Sequence, residues 1–251
     1  MNQIHNDDCF NVIDTLETNS VDMVLVDLPY GQTDCKWDIC IDLDIMWEKL
    51  SRIGKDRCNY VFFVTTKFGN HIINSKPKWF RYDLVWQKYN AVGFLTAKKM
   101  PLRAHEMIYI FRKTPTPKGT PWIYNPQKTA GKPYNIDNTK GDRKNVEVYS
   151  IKDLPYLPNV SGDRHPCSVF KINHDKVKFH PTQKPLELCE WLIKTYSNEG
   201  DVVLDFCMGS GTSIVASIQT KRNYIGVEKD PDIFQIAKER INQNLQLQVL
   251  P

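Results

Sequence analysis

An α/β fold is predicted for these 251 residues: a mostly parallel twisted sheet with helices on both faces, an antiparallel hairpin at one edge and an irregular basic insertion. Three observations predict it. Short β-branched and aromatic runs alternate with a helix-sized stretch across residues 1–112. Helical and strand periods alternate again from residue 179. Between them, residues 113–178 carry eight of the fifteen prolines, a density that prevents long helices and breaks central strands.

Taken in order, VDMVLVD (residues 21–27) is an apolar run suited to a buried strand, DIMWEKLSRI (44–53) is a helix, and NYVFFVTT (59–66) is a second strand. YDLVWQK and HEMIYIFRK follow closely enough to form the antiparallel edge pair, and the aromatics of FRYDLVWQKY suit sheet core more than a stacking platform, with no role assigned to them. Past the insertion, PLELCEWLIKTY sets Leu186, Cys189, Leu192, Ile193 and Tyr196 on one helical face. DVVLDF is a strand, SGTSIVASIQT a helix behind two glycines, and NYIGVE a strand. PDIFQIAKERINQNL places Ile233, Ala237, Ile241 and Leu245 in one stripe, with Pro231 in its first turn.

Composition narrows the class. A chain of this length buries a core without disulfides, and seven scattered cysteines with no C-x-x-C pair point to reduced thiols and no metal; Cys35 and Cys40 are the closest pair. The start lacks the n- and h-regions of a signal peptide and no run is long enough to span a membrane, so a soluble intracellular protein is expected. The formal charge of +4 is unevenly spread: residues 113–178 hold twelve Lys or Arg against six Asp or Glu.

Two loops carry chemistry. DFCMGSGT (205–212) leaves a strand and enters a helix, and Gly209 and Gly211 suit a turn where backbone approaches a ligand. Glu228 ends the next strand, where a carboxylate accepts hydrogen bonds from ribose hydroxyls. A dinucleotide fingerprint would ask for a third glycine where Ile214 stands, so a ligand with adenosine and no pyrophosphate fits better; a turn without a ligand is the alternative. In the other loop, Asp27, Leu28, Pro29 and Tyr30 emerge at a strand end. The Asp27 carboxylate and the carbonyl of Leu28 or Pro29 are two acceptors suited to an amino group, and Tyr30 offers a face for a base. An acidic turn under an aromatic lid is the plainer reading.

With these residues named, the chain resembles the beta class of S-adenosylmethionine-dependent DNA amino-methyltransferases, which carry Asp-Pro-Pro-Tyr and Phe-x-Gly-x-Gly motifs. Here they read Asp27-Leu28-Pro29-Tyr30 and Phe206-Cys207-Met208-Gly209-Ser210-Gly211, with Leu28 in place of the first proline. The resemblance implies a Rossmann-like methyltransferase fold, with residues 1–112 and 179–251 as catalytic domain and 113–178 as target-recognition insertion. It implies that HPTQKP (180–185) brings Thr182 and Lys184 to the methionine end of the cofactor and that Asp8 of NDDC meets its adenine. Asp205, Phe206, Gly209, Ser210, Gly211, Thr212 and Glu228 complete the cofactor set.

The implied activity is methyl transfer to adenine N6 in a specific double-stranded DNA sequence, with the base flipped out, Tyr30 stacking on it and direct transfer to the amine. Asp27 favours adenine N6. Cytosine N4, an amine in RNA or protein, and a catalytically silent nucleic-acid-binding subunit are the alternatives. Lys140, Arg143, Lys144 and Arg164 are candidate phosphate contacts or else a solvated charged face. The setting implied is DNA methylation within restriction-modification, in the cytoplasm of a bacterium or of a phage-infected host, with a homodimer and a cognate restriction enzyme as further expectations. His180 and His105 are assigned structural roles. Trp37 and Asp38 either close over the target base or pack on the insertion.

Overall fold

The computed structural model describes residues 2–30, 41–113, 121–134, 159–180 and 182–249. They fall into two compact units, Met1–Asn125 with Ser168–Pro251, and Pro126–Cys167. The first holds an eight-stranded sheet: β1 (Gln3–His5), β2 (Val21–Asp27), β3 (Gly54–Val64), β4 (Phe80–Val92), β5 (Arg103–Arg112), β6 (Val169–Lys171), β7 (Val202–Asp205) and β8 (Asn223–Val227). Their order is β1-β8-β7-β2-β3-β5-β4-β6, and every neighbouring pair is parallel except the two that involve β5.

Alternation along the strands sorts side chains to two cores. From β2, Val24 and Val26 join Tyr60, Phe62 and Phe111 under α1 (Cys9–Thr15), α2 (Leu43–Ile53) and α3 (Thr66–Ser75), which contribute Ile13, Trp47, Leu50 and Phe68. Met23 and Leu25 point the other way, meeting Val61, Phe63, Ile108 and Ile110 under Leu188, Leu192 and Ile193 of α4 (Leu186–Tyr196). A strand covered on both faces must be apolar at successive positions, which is why VDMVLVD does not alternate. Trp47 anchors the first core, its ring 5.2–6.0 Å from those of Tyr60, Phe62, Trp79 and Phe111 and its Nε1 donating to Ser75 Oγ at 2.8 Å. Truncating such a side chain costs about 3–5 kcal/mol. The helix α5 (Thr212–Gln219) packs between α4 and α6 (Pro231–Val249).

Several elements differ from the sequence expectation. β3 starts at Gly54, before the apolar run, and pairs with β2 across a register shift between Val21 and Met23. β6, within the stretch expected to be irregular, pairs in parallel with β4, so the hairpin carries one more strand outside it. Ile123 is buried, and its carbonyl accepts from Asn59 Nδ2 at 3.2 Å. In α6, Ala237 and Ile241 are buried as the stripe requires, but Leu245 is exposed and Arg240 is buried beside them. Of the aromatics in FRYDLVWQKY, Tyr89 is 58% exposed and Trp86 is fully buried.

In the second unit, antiparallel bridges join Thr129 to Arg164 and Tyr134 to Asn159. The Arg164 guanidinium donates to the carbonyls of Gly162 and Lys132 and lies 4.7 Å from the Tyr134 ring centroid.

Connections position the site. From β2 the chain crosses through α2 to β3 on one side, and from β7 through α5 to β8 on the other. β2 and β7 are neighbours, so their carboxyl ends flank the crevice that an open parallel sheet forms where its winding reverses.

Candidate active site

A cavity of about 960 Å³ opens at those two carboxyl ends. Asp27, Leu28, Pro29 and Tyr30 from the end of β2 line it together with Asp205, Phe206, Gly209, Ser210, Thr212 and Glu228 from the β7 and β8 ends, and Asp8, Thr182 and Lys184 also reach its wall. All lie in the first unit.

The β7 half is built largely from backbone. Gly209 and Gly211 take φ of +52° and +77°, the left-handed region that glycine enters without penalty. At Gly209 an added Cβ would meet nothing within 4 Å, so its Cα borders open space. Gly211 stands off the cavity wall, where a Cβ would approach Ala237 and Ile241 of α6 at 3.3 Å. Glu228 accepts from the Gly209 and Asp230 amides at 3.0 and 2.9 Å, one on each oxygen. Each oxygen keeps a further lone pair for a hydroxyl. Burial raises the Glu228 pKa. β1 fixes this strand end, because His5 C=O accepts from Glu228 N–H and Asn6 Nδ2 donates to the Glu228 carbonyl.

Asp205 is buried, accepting from the Cys207 amide at 3.1 Å and from the Ser213 hydroxyl, and burial pushes its pKa up to about 7. Arg240, on α6, donates to the Ser210 carbonyl and to Thr212 Oγ1 at 3.1 and 2.8 Å, bracing the loop from behind. Asp8 caps α1 through the Phe10 amide at 3.0 Å and pairs with Lys229 at 3.1 Å.

The β2 half is built from charged side chains. Asp27 holds the Tyr30 hydroxyl on Oδ1 and the Lys184 ammonium on Oδ2. The same hydroxyl lies 3.0 Å from the Phe63 carbonyl, and the Tyr30 ring sits 5.1 Å from that of Phe68. Burial, then the neighbouring Asp27 charge, raises the Tyr30 pKa well above its ordinary value. Beyond Lys184 stands Glu106: its Oε1 pairs with Lys88, and its Oε2 lies 3.4 Å from Lys184 Nζ. Among the described residues, Glu106 Oε2 is buried with no hydrogen-bond partner. Burial would raise the Glu106 pKa, but the ammoniums of Lys184 and Lys88 outweigh it and hold it low. Burial would likewise lower the Lys184 pKa, and Asp27 and Glu106 reverse this.

The remaining sequence-selected residues separate. Thr182 Oγ1 is 2.9 Å from His180 Nδ1, a contact between two members of one turn. His105 is exposed. Lys140, Arg143, Lys144, Trp37, Asp38, Cys35 and Cys40 lie outside the described residues. Sequence reasoning missed Glu106, Lys88 and Arg240. The first was read as the start of an apolar strand, and an acid two residues before a buried Ile108 in a sheet center was the available signal. Among the described residues, no group of His, Cys, Asp or Glu is set to hold a metal ion, and no helix is long and apolar enough to cross a membrane.

A family model described as DNA methylase matches residues 21–239. The Type II methyltransferase M1.MboII of Moraxella bovis is 28% identical over 266 residues, spanning 97% of each chain. M.HpaI of Haemophilus parainfluenzae is 27% identical over 257 residues, 93% of this chain and 73% of that one. Among solved structures, the M1.HpyAVI–SAM complex matches with a TM-score of 0.62 at 24% identity, covering 96% and 100% of the two chains. The PvuII DNA methyltransferase, described as cytosine-N4-specific, matches at 0.64 and 15% identity, covering 98% and 91%. At these identities the two structures speak for the fold.

Proposed function

The chain belongs to the DNA methylase family, and we propose that it transfers a methyl group from S-adenosylmethionine to the exocyclic N6 amine of an adenine flipped out of a specific double-stranded DNA sequence. The observation that carries this reading is that Asp27 and the Gly209–Glu228 rim, far apart in the chain, line one cavity. The residues present fit the methyl donor: Gly209 leaves open space, Glu228 keeps acceptor capacity for a ribose, and acidic side chains at the rim suit a cationic ligand. When bound, S-adenosylmethionine supplies a methyl group activated on a sulfonium.

The protein's task is to make an adenine amine nucleophilic. Its lone pair is delocalised into the ring, and hydrogen bonds from its N–H groups to Asp27 and a carbonyl of Leu28 or Pro29 favour a pyramidal nitrogen and stabilise the positive charge that develops there. Holding the nitrogen in line contributes on the order of 7–11 kcal/mol in well-oriented systems.

Both Asp27 oxygens are engaged by the protein itself, so one partner must yield. The Tyr30 hydroxyl has the Phe63 carbonyl at 3.0 Å as a second acceptor, but we take Lys184 as the partner that moves, because Glu106 Oε2 lies 3.4 Å away, is buried and lacks a hydrogen bond. Moving the ammonium toward Glu106 frees Asp27 Oδ2 for the target amine without stranding a buried charge. Tyr30 remains on Oδ1 and offers its ring to the base.

Lys140, Arg143, Lys144 and Arg164 are proposed phosphate contacts. We place the enzyme in restriction-modification in a bacterial cytoplasm or a phage-infected host, with a homodimer and a cognate restriction enzyme as partners. The test is to incubate the purified chain with donor and unmethylated DNA, digest to nucleosides and identify the product by mass spectrometry. N6-methyladenine is expected. N4-methylcytosine would overturn the adenine assignment, and no methylated nucleoside would favour a silent binding subunit.

A further inference from the structure

The β4–β5 hairpin continues well beyond the sheet that anchors it. Val64, the last residue of β3, is level with Met107 of β5, and Met107 with Val85 of β4. β4 runs on to Val92, paired with Arg103 across a register shift. Seven residues on one strand and four on the other, at about 3.3 Å each, carry the arm roughly 13–23 Å past the carboxyl edge where the cavity opens. Val92 and Arg103 line that cavity, so the tip stands at its mouth.

The tip's composition is unusual for a solvated loop. After Gly93, at φ +94°, a single 3₁₀ turn presents Phe94 and Leu95, 78% and 86% exposed. Of seventeen large apolar side chains exposed among the described residues, six fall between Tyr89 and Leu102, a concentration that marks an interaction surface. From Leu84 to His105 the chain carries Lys88, Lys98, Lys99 and Arg103 and no acid. Lys88 is buried against Glu106, while Lys98 and Lys99 are exposed. Apolar side chains among cations at the entrance to the cavity match a nucleic acid. A two-fold pairing of tips would set these lysines against their own copies.

We propose that the tip is a wedge for double-stranded DNA: Phe94 and Leu95 enter the base stack at the gap left by the flipped nucleotide, and Lys98, Lys99 and Arg103 meet the flanking phosphates. This rests on the DNA-methylation reading above. A wedge matters for a duplex, where unstacking opposes flipping, and little for a single strand whose bases are already free.

The experiment compares the full chain with a Phe94→Ala/Leu95→Ala variant, both positions being exposed, on duplex and single-stranded DNA of the same unmethylated sequence. Duplex kcat/KM is expected to fall at least about tenfold while single-strand transfer stays within about twofold and donor affinity is unchanged. A Lys98→Ala/Lys99→Ala variant should flatten the dependence of log K on log salt by about 1.8. Equal changes on both substrates, no change on either, or sedimentation showing a dimer turned to monomer would overturn the wedge, the last making the tip a subunit interface. A wild-type chain inactive on both DNAs would overturn the functional reading and the wedge with it.

Discussion

The two loops that meet at the reversal of the sheet are made of opposite materials. After β7 the chain uses glycines and amides: Gly209 leaves space, and Glu228 is held by two backbone N–H groups with lone pairs to spare. After β2 it uses charged side chains that satisfy one another, from Tyr30 through Asp27 and Lys184 to Glu106 and Lys88. The first half is ready for a ligand as it stands. The second is closed on itself, and on the proposed function one partner of Asp27 must yield before it can take a target amine. On the function proposed above, the donor would meet a preformed surface, whereas the carboxylate proposed to activate the amine is neutralised by Lys184 in this structure.

The largest effect expected from breaking this contrast is on transfer itself. Asp27→Ala should lower single-turnover methylation by on the order of 10³, the loss typical of removing one group aimed at developing charge. Turnover equal to wild type in a rapid-quench assay would remove Asp27 from its role.

Glu106→Gln comes next. It leaves Lys184 with Asp27 alone and takes from Lys88 its carboxylate partner, so methyl transfer should fall roughly 10–100-fold in kcat through a tighter lock, in the range seen when a group that orients a reacting residue is lost. Stability should fall at the lower end of the roughly 3–5 kcal/mol of a broken buried pair, because Glu106 is 22% exposed. Its pKa is depressed, so that stabilisation is present above the ordinary glutamate range and is lost only as pH falls through the lower folded value. Denaturant titrations should therefore show a variant–wild-type difference at pH 7 and 5 that shrinks as pH falls below the ordinary glutamate range. Unchanged kcat would show that Lys184 leaves Asp27 without help.

A smaller effect sharpens the β7 half. Asp205 has its pKa raised to about 7 by burial, against about 3.9 unfolded. A raised value means the folded state holds a proton the unfolded chain releases, so its contribution is full below pH 4 and lost as pH rises toward 7. Relative to Asp205→Asn, wild-type stability should decline by up to about 1.4 kcal/mol per pH unit across that window and level off above it. A pH-independent difference between the two would contradict this.

Much of the molecule was legible because its signals are local. Strand runs that end on Asp27 or on Asp205-Phe206, and glycines at 209 and 211, are visible in a few residues, and parallel topology then forces them to one edge. What escaped depends on distance. β1 is three residues long and exists only through its pairing with β8. β6 is a strand because β4 offers it an open edge, in a stretch whose prolines argue for irregularity. Glu106 and Lys184 meet across a cavity wall, and neither neighbourhood shows the other. Arg240 sits on the apolar stripe of α6 where the pattern asks for a hydrophobe, because the loop it braces needs a donor there.

The most direct test of a division of labour between the halves is calorimetric titration of S-adenosylmethionine into Asp27→Ala and Glu228→Ala side by side. Donor affinity within about threefold of wild type is expected for the first and at least about tenfold weaker for the second, the loss expected when a hydrogen bond to a charged group is removed. Equal loss in both, or loss confined to Asp27→Ala, would contradict that division.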